Sequence, residues 1–386
     1  MRIGIDCRLY GTFHRGIGRY TEQLVLALAR REDENHYVLF APSEVASKLS
    51  LPGARFSVVR ADVPHYGVAE HLLMPGLALS ARVDMMHFTH LNAPYWCPVP
   101  YVVTIHDLIV FHFPDTRASN LPAWKYALKI WGYGRVLRNA AKKAKKIIAV
   151  SEFTKRDIMR NLGVPGEKIA VTHLGVEKML LGTDLMRNTP QFDLMLTDKF
   201  GITKPYVLYV GSAYPHKNLK RLIDAYLLLR TRYQRNWQLV LCGRIDPFYE
   251  ALARYADQAA VDAHYRRDII FTGEVSDKVL DGVYRGAKCF AFPSRYEGFG
   301  LPALEAATRG VPVVCSKAAS LPEVMADAVR YCDPESTESI AHVLDEVGGS
   351  HALADELAAR GRSRAKLFSW EKTAQETVAA YHEIMV

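Results

Sequence analysis

Neither an Asp-x-Asp nor a Cys-x-x-Cys occurs in the 386 residues. No His/Cys/Asp/Glu cluster stands at ligand spacing either, so the sequence carries no signature of a zinc site or of a carboxylate-held divalent cation. Cysteine is sparse. Cys7, Cys97, Cys242, Cys289, Cys315 and Cys332 stand singly, several inside apolar runs, and read as small core residues rather than ligands or disulfide partners. No apolar run reaches the roughly 18 residues that span a bilayer. The opening Met1-Arg2-Ile3-Gly4-Ile5-Asp6 reads as a strand rather than a signal peptide, so a cytoplasmic location is expected. Internal repeats of about 20 to 50 residues and low-complexity tracts are missing as well, which argues against a solenoid.

What is present is the mix of an ordinary globular protein, 49% apolar and 23% charged with a net charge of +8. The length is too great for one core and predicts two domains. Seven short apolar runs between Arg2 and Thr172 alternate with amphipathic helical stretches, and six more do so between Tyr206 and Tyr331. That alternation predicts an α/β protein made of two Rossmann-like units with parallel sheets, residues 1–188 and 189–369. The polar, helix-breaking stretch from Glu177 to Pro205 joins them. Residues 370–386 read as a last helix with no new strand, able to cross back onto the first unit. Ligands of open parallel sheets bind beyond the C-terminal ends of the strands, so the chemistry is expected in a cleft between the two sheets.

Residues 294–305 read Ser-Arg-Tyr-Glu-Gly-Phe-Gly-Leu-Pro-Ala-Leu-Glu and follow the apolar run Lys288 to Pro293. Glu297 therefore falls on a glycine loop at a strand end, and Leu301-Pro302 opens a helix with proline in its first turn. The amides of Phe299, Gly300 and Leu301 then sit at a helix N-terminus, where an anion such as a diphosphate is favoured. Glu305, one turn in, can accept hydrogen bonds from vicinal hydroxyls such as those of a ribose, and Glu297 lies nearer to where a sugar would rest. An ordinary strand-loop-helix corner with two solvated glutamates is the bland alternative.

Lys217 follows the strand ending at Val210 on a loop that carries Gly211 and Ser212. An ammonium there can neutralise charge growing on a departing diphosphate. A solvated lysine at a helix start is the alternative, although that is an unfavourable place for a cation. Arg15, Arg19, Arg244 and Arg295 are candidates for a second phosphate-binding cation, and Arg244, after the strand end Leu241-Cys242-Gly243, could face a base instead. Gly16-Ile17-Gly18 is not a dinucleotide fingerprint, because the third glycine of that pattern is Thr21 and no acid ends the next strand. It reads instead as a glycine loop that lets backbone approach a sugar diphosphate. His106 ends an apolar strand ahead of Asp107, while His87 and His173 hold similar strand-end places.

These motifs, in order Ile3 to Asp6 with Gly16 to Thr21, Val103 to Asp107, Val150 to Thr154, Gly211 to Leu219, and the segment of Glu297 and Glu305, resemble the retaining nucleotide-sugar glycosyltransferases of the GT-B fold. The family is glycosyltransferase family 4, which includes bacterial α-mannosyltransferases and sucrose-synthase-like enzymes. The likeness covers nearly the whole chain. It implies a metal-independent transferase without a cofactor, in which His106 meets the donor sugar near its reacting face and Lys217 and Glu297 complete the catalytic set. Many relatives carry arginine directly after the glycine, where this chain has Ser212. Tyr214-Pro215-His216-Lys217-Asn218-Leu219 looks most like the mannosyltransferase subgroup, which implies GDP-mannose as donor. Glu297 can be read as a covalent nucleophile, but the family pattern implies front-face substitution in which the leaving phosphate helps deprotonate the acceptor hydroxyl.

Residues 116–151 contain Arg117, Lys125, Lys129, Arg135, Arg138, Lys142, Lys143, Lys145 and Lys146 and no acidic residue. Leu121, Trp124, Leu128, Trp131 and Tyr133 interleave with them, so this helix could hold the protein on the cytoplasmic face of an anionic membrane, near a lipid-linked glycan acceptor. A half-buried helix with a solvated basic face is the alternative, and nucleic acid is not an expected partner. Nucleotide-sugar epimerisation, glycogen-type phosphorolysis and a catalytically idle sugar-nucleotide binder remain as other functions for such a chain.

Overall fold

The computed structural model describes residues 1–11, 15–47, 49, 53–65, 67–114, 123–176, 190–260 and 263–384. Two compact units are present, one made of Met1–Gly175 with Phe368–Val386 and the other of Val176–Leu367. The first holds a seven-stranded parallel sheet: β1 (Arg2–Asp6), β2 (His36–Ala41), β3 (Phe56–Arg60), β4 (Met85–Phe88), β5 (Tyr101–Ile105), β6 (Lys146–Ala149) and β7 (Ile169–Val171), in the order β3-β2-β1-β4-β5-β6-β7. The second holds a six-stranded parallel sheet: β8 (Tyr206–Val210), β9 (Gln238–Cys242), β10 (Ile269–Gly273), β11 (Cys289–Phe292), β12 (Val313–Ser316) and β13 (Arg330–Cys332), in the order β10-β9-β8-β11-β12-β13. Central strands such as β5, with every residue buried, are apolar apart from Thr104, as expected of a parallel sheet covered on both faces. Six free cysteines lie among the described residues, five buried and Cys97 half-buried, in line with their reading as core residues.

Strand order reverses beside β1 in the first sheet and beside β8 in the second. The loops leaving β1 and β4 therefore diverge, as do those leaving β8 and β11. Each divergence opens a crevice at the C-terminal strand ends, where such sheets take their ligands.

In the first unit the crevice is floored by a buried ion cluster. Arg8, 2% exposed, donates to Asp6 through Nε at 2.8 Å and Nη2 at 2.6 Å, and Nη2 also reaches Glu70 Oε1 at 2.5 Å. Asn92 donates to the other Glu70 oxygen. Each carboxylate is thus satisfied out of contact with water, and that requirement turns Glu70 of the helix Val68–Ser80 inward.

The helix Trp370–His382 packs on the helix Arg15–Arg30 of the same unit. A buried polar chain fastens its far end. Tyr381 Oη lies 2.6 Å from His87 Nδ1, His87 Nε2 lies 2.8 Å from Thr104 Oγ1, and Thr104 shares a 3.1 Å contact with Tyr20 Oη. At the near end Gly175 cannot carry a side chain, because a Cβ there would lie 2.2 Å from the Trp370 amide nitrogen. His87 is thus a core residue on the described contacts. The His173 carbonyl accepts from Thr373 Oγ1 at 2.8 Å, and its ring meets Phe368 edge-on.

Burial pushes the imidazoles of His87 and His90 down to about 3. The unfolded chain therefore takes up protons that the native chain refuses as pH falls below about 6.5. The stability these groups contribute is complete above that pH and is lost progressively as pH falls towards 3. Urea denaturation at pH 7 and pH 5 checks this: a lower midpoint at pH 5 is expected, and an equal or higher one contradicts it.

Candidate active site

The crevice between β8 and β11 brings Lys217 and Glu297 together. Lys217 Nζ donates to Glu297 Oε1 at 2.7 Å and Oε2 at 2.9 Å. The pair is nearly closed off from water, with Glu297 6% exposed, and the ammonium also lies 5.4 Å from the centre of the Phe292 ring. Lys217 is neither solvated nor loose.

Local backbone explains the placement. Lys217 ends a short 3-10 turn, Pro215–Lys217, and Asn218 then takes a left-handed conformation with φ of 65°. Asparagine tolerates that region better than most residues. Its Nδ2 donates to Pro293 O at 3.1 Å and Pro334 O at 2.7 Å, which ties the loop after β8 to those after β11 and β13. The Arg295 amide donates to His216 O at 2.8 Å across the same junction. His216 is buried, and burial with the neighbouring Lys217 charge holds its imidazole down at about 3. It is a neutral support of the loop.

The Glu297 loop is held from below. Ser320 Oγ donates to Glu297 O at 3.0 Å, and Ser316 Oγ donates to Ser294 O. Gly300 has φ of 99°, and a Cβ there would come within 2.6 Å of Leu321 Cδ2, so only glycine fits. It caps the helix Leu301–Thr308, with Pro302 in the first turn as expected. The amides of Gly300 and Leu301 have no acceptor among the described residues, and Pro302 has no N–H to donate. Phe299 is buried beside them. Glu305 lies in the second turn, half-buried, with Tyr284 Oη 3.5 Å from Oε2. Two carboxylates, an ammonium and a helix N-terminus thus share one crevice, an arrangement that can hold a polyol and an anion side by side.

Gly211 and Ser212 begin the loop that leads to Lys217. Gly211 has φ of 147°, its carbonyl accepts from Tyr249 Oη at 2.7 Å, and a Cβ on Gly243 would lie 2.1 Å from the same oxygen. Those two backbones approach too closely for any other residue at 243. The Ser212 carbonyl accepts from Tyr209 Oη at 2.7 Å. Arg295 is committed to Glu335, Nε to Oε1 at 2.7 Å, and Arg19 has a partner. The Arg15 side chain lies outside the described residues, as do residues 177–189. Arg244 is exposed and makes no ion pair or hydrogen bond with the described residues, which leaves it available for a ligand.

The remaining expected site residues belong to the first unit. His106 Nε2 lies 3.0 Å from Thr89 O, so that nitrogen carries the proton and Nδ1 is left as an acceptor. Burial lowers its pKa to about 4, which keeps the ring neutral. Tyr20 packs edge-on against it at 4.7 Å. Thr89 is itself held, its Oγ1 donating to Asp6 O at 2.9 Å and accepting from Thr21 at 3.0 Å. Gly16 and Gly18 do not form a loop. They lie in the first turn of the helix Arg15–Arg30, where Thr21 Oγ1 lies 3.1 Å from Ile17 O, and Gly16 is exposed with open space where a Cβ would be. The expectation of a glycine loop fails because the helix begins earlier than the sequence suggested.

Ser320 and Thr89 escaped the sequence reading, and Asn218 and Thr21 stood in its motifs without a role. Only Asn218 had a signal, an asparagine directly ahead of an apolar helical run. Among the described residues no group of three or more metal-ligating side chains forms, and no helix is long and apolar enough to cross a membrane.

Residues 14–178 match the model described as Glycosyltransferase Family 4, and residues 197–364 match Glycosyl transferases group 1. The chain is similar to O-antigen chain mannosyltransferase B of Escherichia coli, 30% identical over 382 residues that make up 95% of each chain. Among solved structures it resembles sucrose-phosphate synthase from Thermosynechococcus elongatus, with a TM-score of 0.74 and 18% identity, covering 100% of this chain and 99% of that one. It also resembles HepE of Anabaena in complex with UDP-glucose, with a TM-score of 0.72 and 17% identity, covering 99% and 100%. These two likenesses carry the fold: two parallel α/β sheets of the GT-B class.

Asn218→Ala and Asn218→Gly separate the two roles of that side chain. Each is expected to destabilise the second unit by about 1–3 kcal/mol through the stranded carbonyl of Pro293, Pro334 O keeping Arg221 Nη1 at 2.7 Å, with alanine worse than glycine because of the left-handed backbone. Equal stability of both variants and wild type in urea denaturation contradicts this.

Proposed function

As the chain belongs to glycosyltransferase family 4, we propose that it is a retaining, metal-independent hexosyltransferase that moves mannose from GDP-mannose to an acceptor hydroxyl of a growing glycan. The observation that carries the reading is the Lys217–Glu297 pair, set beside the N-terminus of Leu301–Thr308 at the reversal of strand order. The diphosphate takes the Gly300 and Leu301 amides and draws on Lys217, and exposed Arg244 supplies the second cation that Ser212 does not. Glu305 accepts ribose hydroxyls. Glu297 accepts sugar hydroxyls and opposes the positive charge that grows at the anomeric carbon as the bond to phosphate lengthens.

The bond from the anomeric carbon to the phosphate oxygen breaks, and the bond to the acceptor oxygen forms on the same face. The acceptor's proton passes to a phosphate oxygen of the leaving GDP, so no protein base is needed. Both Glu297 oxygens are engaged by Lys217, which supports an orienting role over that of a covalent nucleophile. Neutral His106, with its proton fixed on Nε2, serves the reaction by accepting at Nδ1 rather than by donating charge.

Mannose and a glycan acceptor are supported by the name of the Escherichia coli relative, an O-antigen chain mannosyltransferase, and we extend that reading to a lipid-linked glycan acceptor at the cytoplasmic face of the membrane. The exposed cations of Ala123–Lys143 suit attachment to that anionic surface, about 1 kcal/mol for each one near it. A UDP- or ADP-sugar is the second reading of the donor, favoured by the UDP-glucose bound to HepE.

Nucleotide release from GDP-mannose with and without a glycan acceptor tests the reading. Release that requires acceptor is expected, and none above background would leave an idle binder. Lys217→Ala is expected to lower kcat more than donor affinity. Glu305→Gln is expected to weaken GDP and GDP-mannose together by about 1.5–3 kcal/mol. Tighter calorimetric binding of UDP or ADP than of GDP contradicts the choice of donor. Activity is expected to survive EDTA and dialysis, and a loss that Mg²⁺ or Mn²⁺ restores contradicts metal independence.

A further inference from the structure

Two buried tyrosines on different elements hold the first two carbonyls of the loop after β8. Tyr209, on the strand itself, donates from Oη to Ser212 O at 2.7 Å. Tyr249, in the first turn of the helix Pro247–Ala259, donates to Gly211 O at 2.7 Å. Asp246 caps that helix by accepting from the Phe248 and Tyr249 amides, both at 3.1 Å, so the second ring starts from a fixed point. The first ring is stacked on Phe292, with 6.2 Å between centres, and burial pushes its hydroxyl well above the usual tyrosine range, so it stays protonated as a donor. Neighbouring glycines make room for both hydroxyls. A Cβ on Gly211 would lie 2.8 Å from Tyr209 Oη, and one on Gly243 2.5 Å from Tyr249 Oη.

The consequence falls on the amides. In a planar trans peptide the N–H points opposite to the carbonyl that precedes it. With Gly211 O and Ser212 O drawn to the buried hydroxyls, the N–H groups of Ser212 and Ala213 point the other way, toward the partly exposed side of the loop. Neither has an acceptor among the described residues. Successive amides turned to one side of a loop make an anion-binding concavity, and this pair sits on the loop that carries Lys217.

We propose that Tyr209 and Tyr249 are positioning residues of the donor site: by holding the Ser212 and Gly211 carbonyls inward, they turn the Ala213 and Ser212 amides into the crevice, where both donate to the phosphate next to the sugar. The cradle adds two uncharged donors beside Lys217, on the stretch where Ser212 brings no cation. Without its hydroxyl partner a carbonyl is free to rotate toward water, and the N–H of the same peptide turns inward, so the phosphate loses a donor. The inference rests on the reading of this crevice as a nucleotide diphosphate site and names what aims its backbone.

Tyr209→Phe and Tyr249→Phe are made separately in the full chain. Tyr206→Phe is the matched control, since Tyr206 Oη donates to Val283 O at 2.7 Å at the other end of β8. Calorimetry compares GDP with GMP and UDP with UMP, because the cradle meets phosphate and is indifferent to the base. Wild type is expected to bind the diphosphate of at least one pair more tightly than its monophosphate. Tyr209→Phe and Tyr249→Phe are each expected to weaken that diphosphate roughly tenfold, the worth of one hydrogen bond to a charged group, with less than about a twofold change for the monophosphate. Tyr206→Phe is expected to keep both affinities, whatever its thermal midpoint. An unchanged ratio of the two affinities in either variant overturns the inference for that tyrosine and leaves the donor reading standing. A change of the same size in Tyr206→Phe overturns it for both, because loss of any buried hydroxyl would then suffice. Wild type that binds neither diphosphate more tightly than its monophosphate overturns the donor reading as well.

Discussion

A carboxylate that is almost fully removed from water must be paired, and Glu297 is paired with one lysine through both of its oxygens. Much of the second unit can be understood as the means of keeping that pair in place. The order β9-β8-β11-β12 makes two loops diverge above the sheet. Asn218 fastens one loop to the other, Ser320 anchors the Glu297 carbonyl, and Gly300 allows the turn that starts the helix only because nothing but hydrogen fits against Leu321. The pair also supplies a resting state for the site. Under the proposed function, a lysine held by a neighbouring carboxylate needs no large rearrangement to meet the diphosphate, and the carboxylate it leaves faces the same space.

The first unit solves a similar problem differently. Arg8 gathers Asp6 and Glu70 under the crevice beside β1, and a chain of Tyr20, Thr104, His87 and Tyr381 pins the C-terminal helix to the sheet. Both are buried polar networks with named partners for each charge or ring nitrogen, which is the condition under which such groups are tolerated in a core. The ion cluster reaches the surface as well. In the helix Val68–Ser80 it draws Glu70 inward together with Met74, Pro75 and Ala78, and Val68, Leu72, Leu73 and Leu79 are left exposed.

Strands were the easiest part to read from the sequence, since a fully covered parallel strand such as Tyr101–Ile105 is a short run, apolar but for Thr104, with no regular alternation to confuse it. The segment of Glu297 and Glu305 was also legible, because two glycines, a proline and an acid at fixed spacing describe one strand-loop-helix corner. Long-range partnerships were not. Lys217 and Glu297 lie 80 residues apart and Arg8 and Glu70 62 apart, so neither pairing has a local pattern. The same holds for the rotation of Val68–Ser80, which no helical periodicity could give once its only acid was drawn inward. Gly16 and Gly18 misled for a local reason: glycine pairs mark loops more often than helix starts.

The account stands on Lys217 and Glu297 acting as one unit in transfer. A double-mutant cycle measures this directly, with kcat/KM determined for wild type, Lys217→Ala, Glu297→Gln and the double variant. Strong coupling is predicted, with the double variant about as slow as the slower single variant. Losses that simply multiply would mean that the two side chains work independently, and would contradict the account.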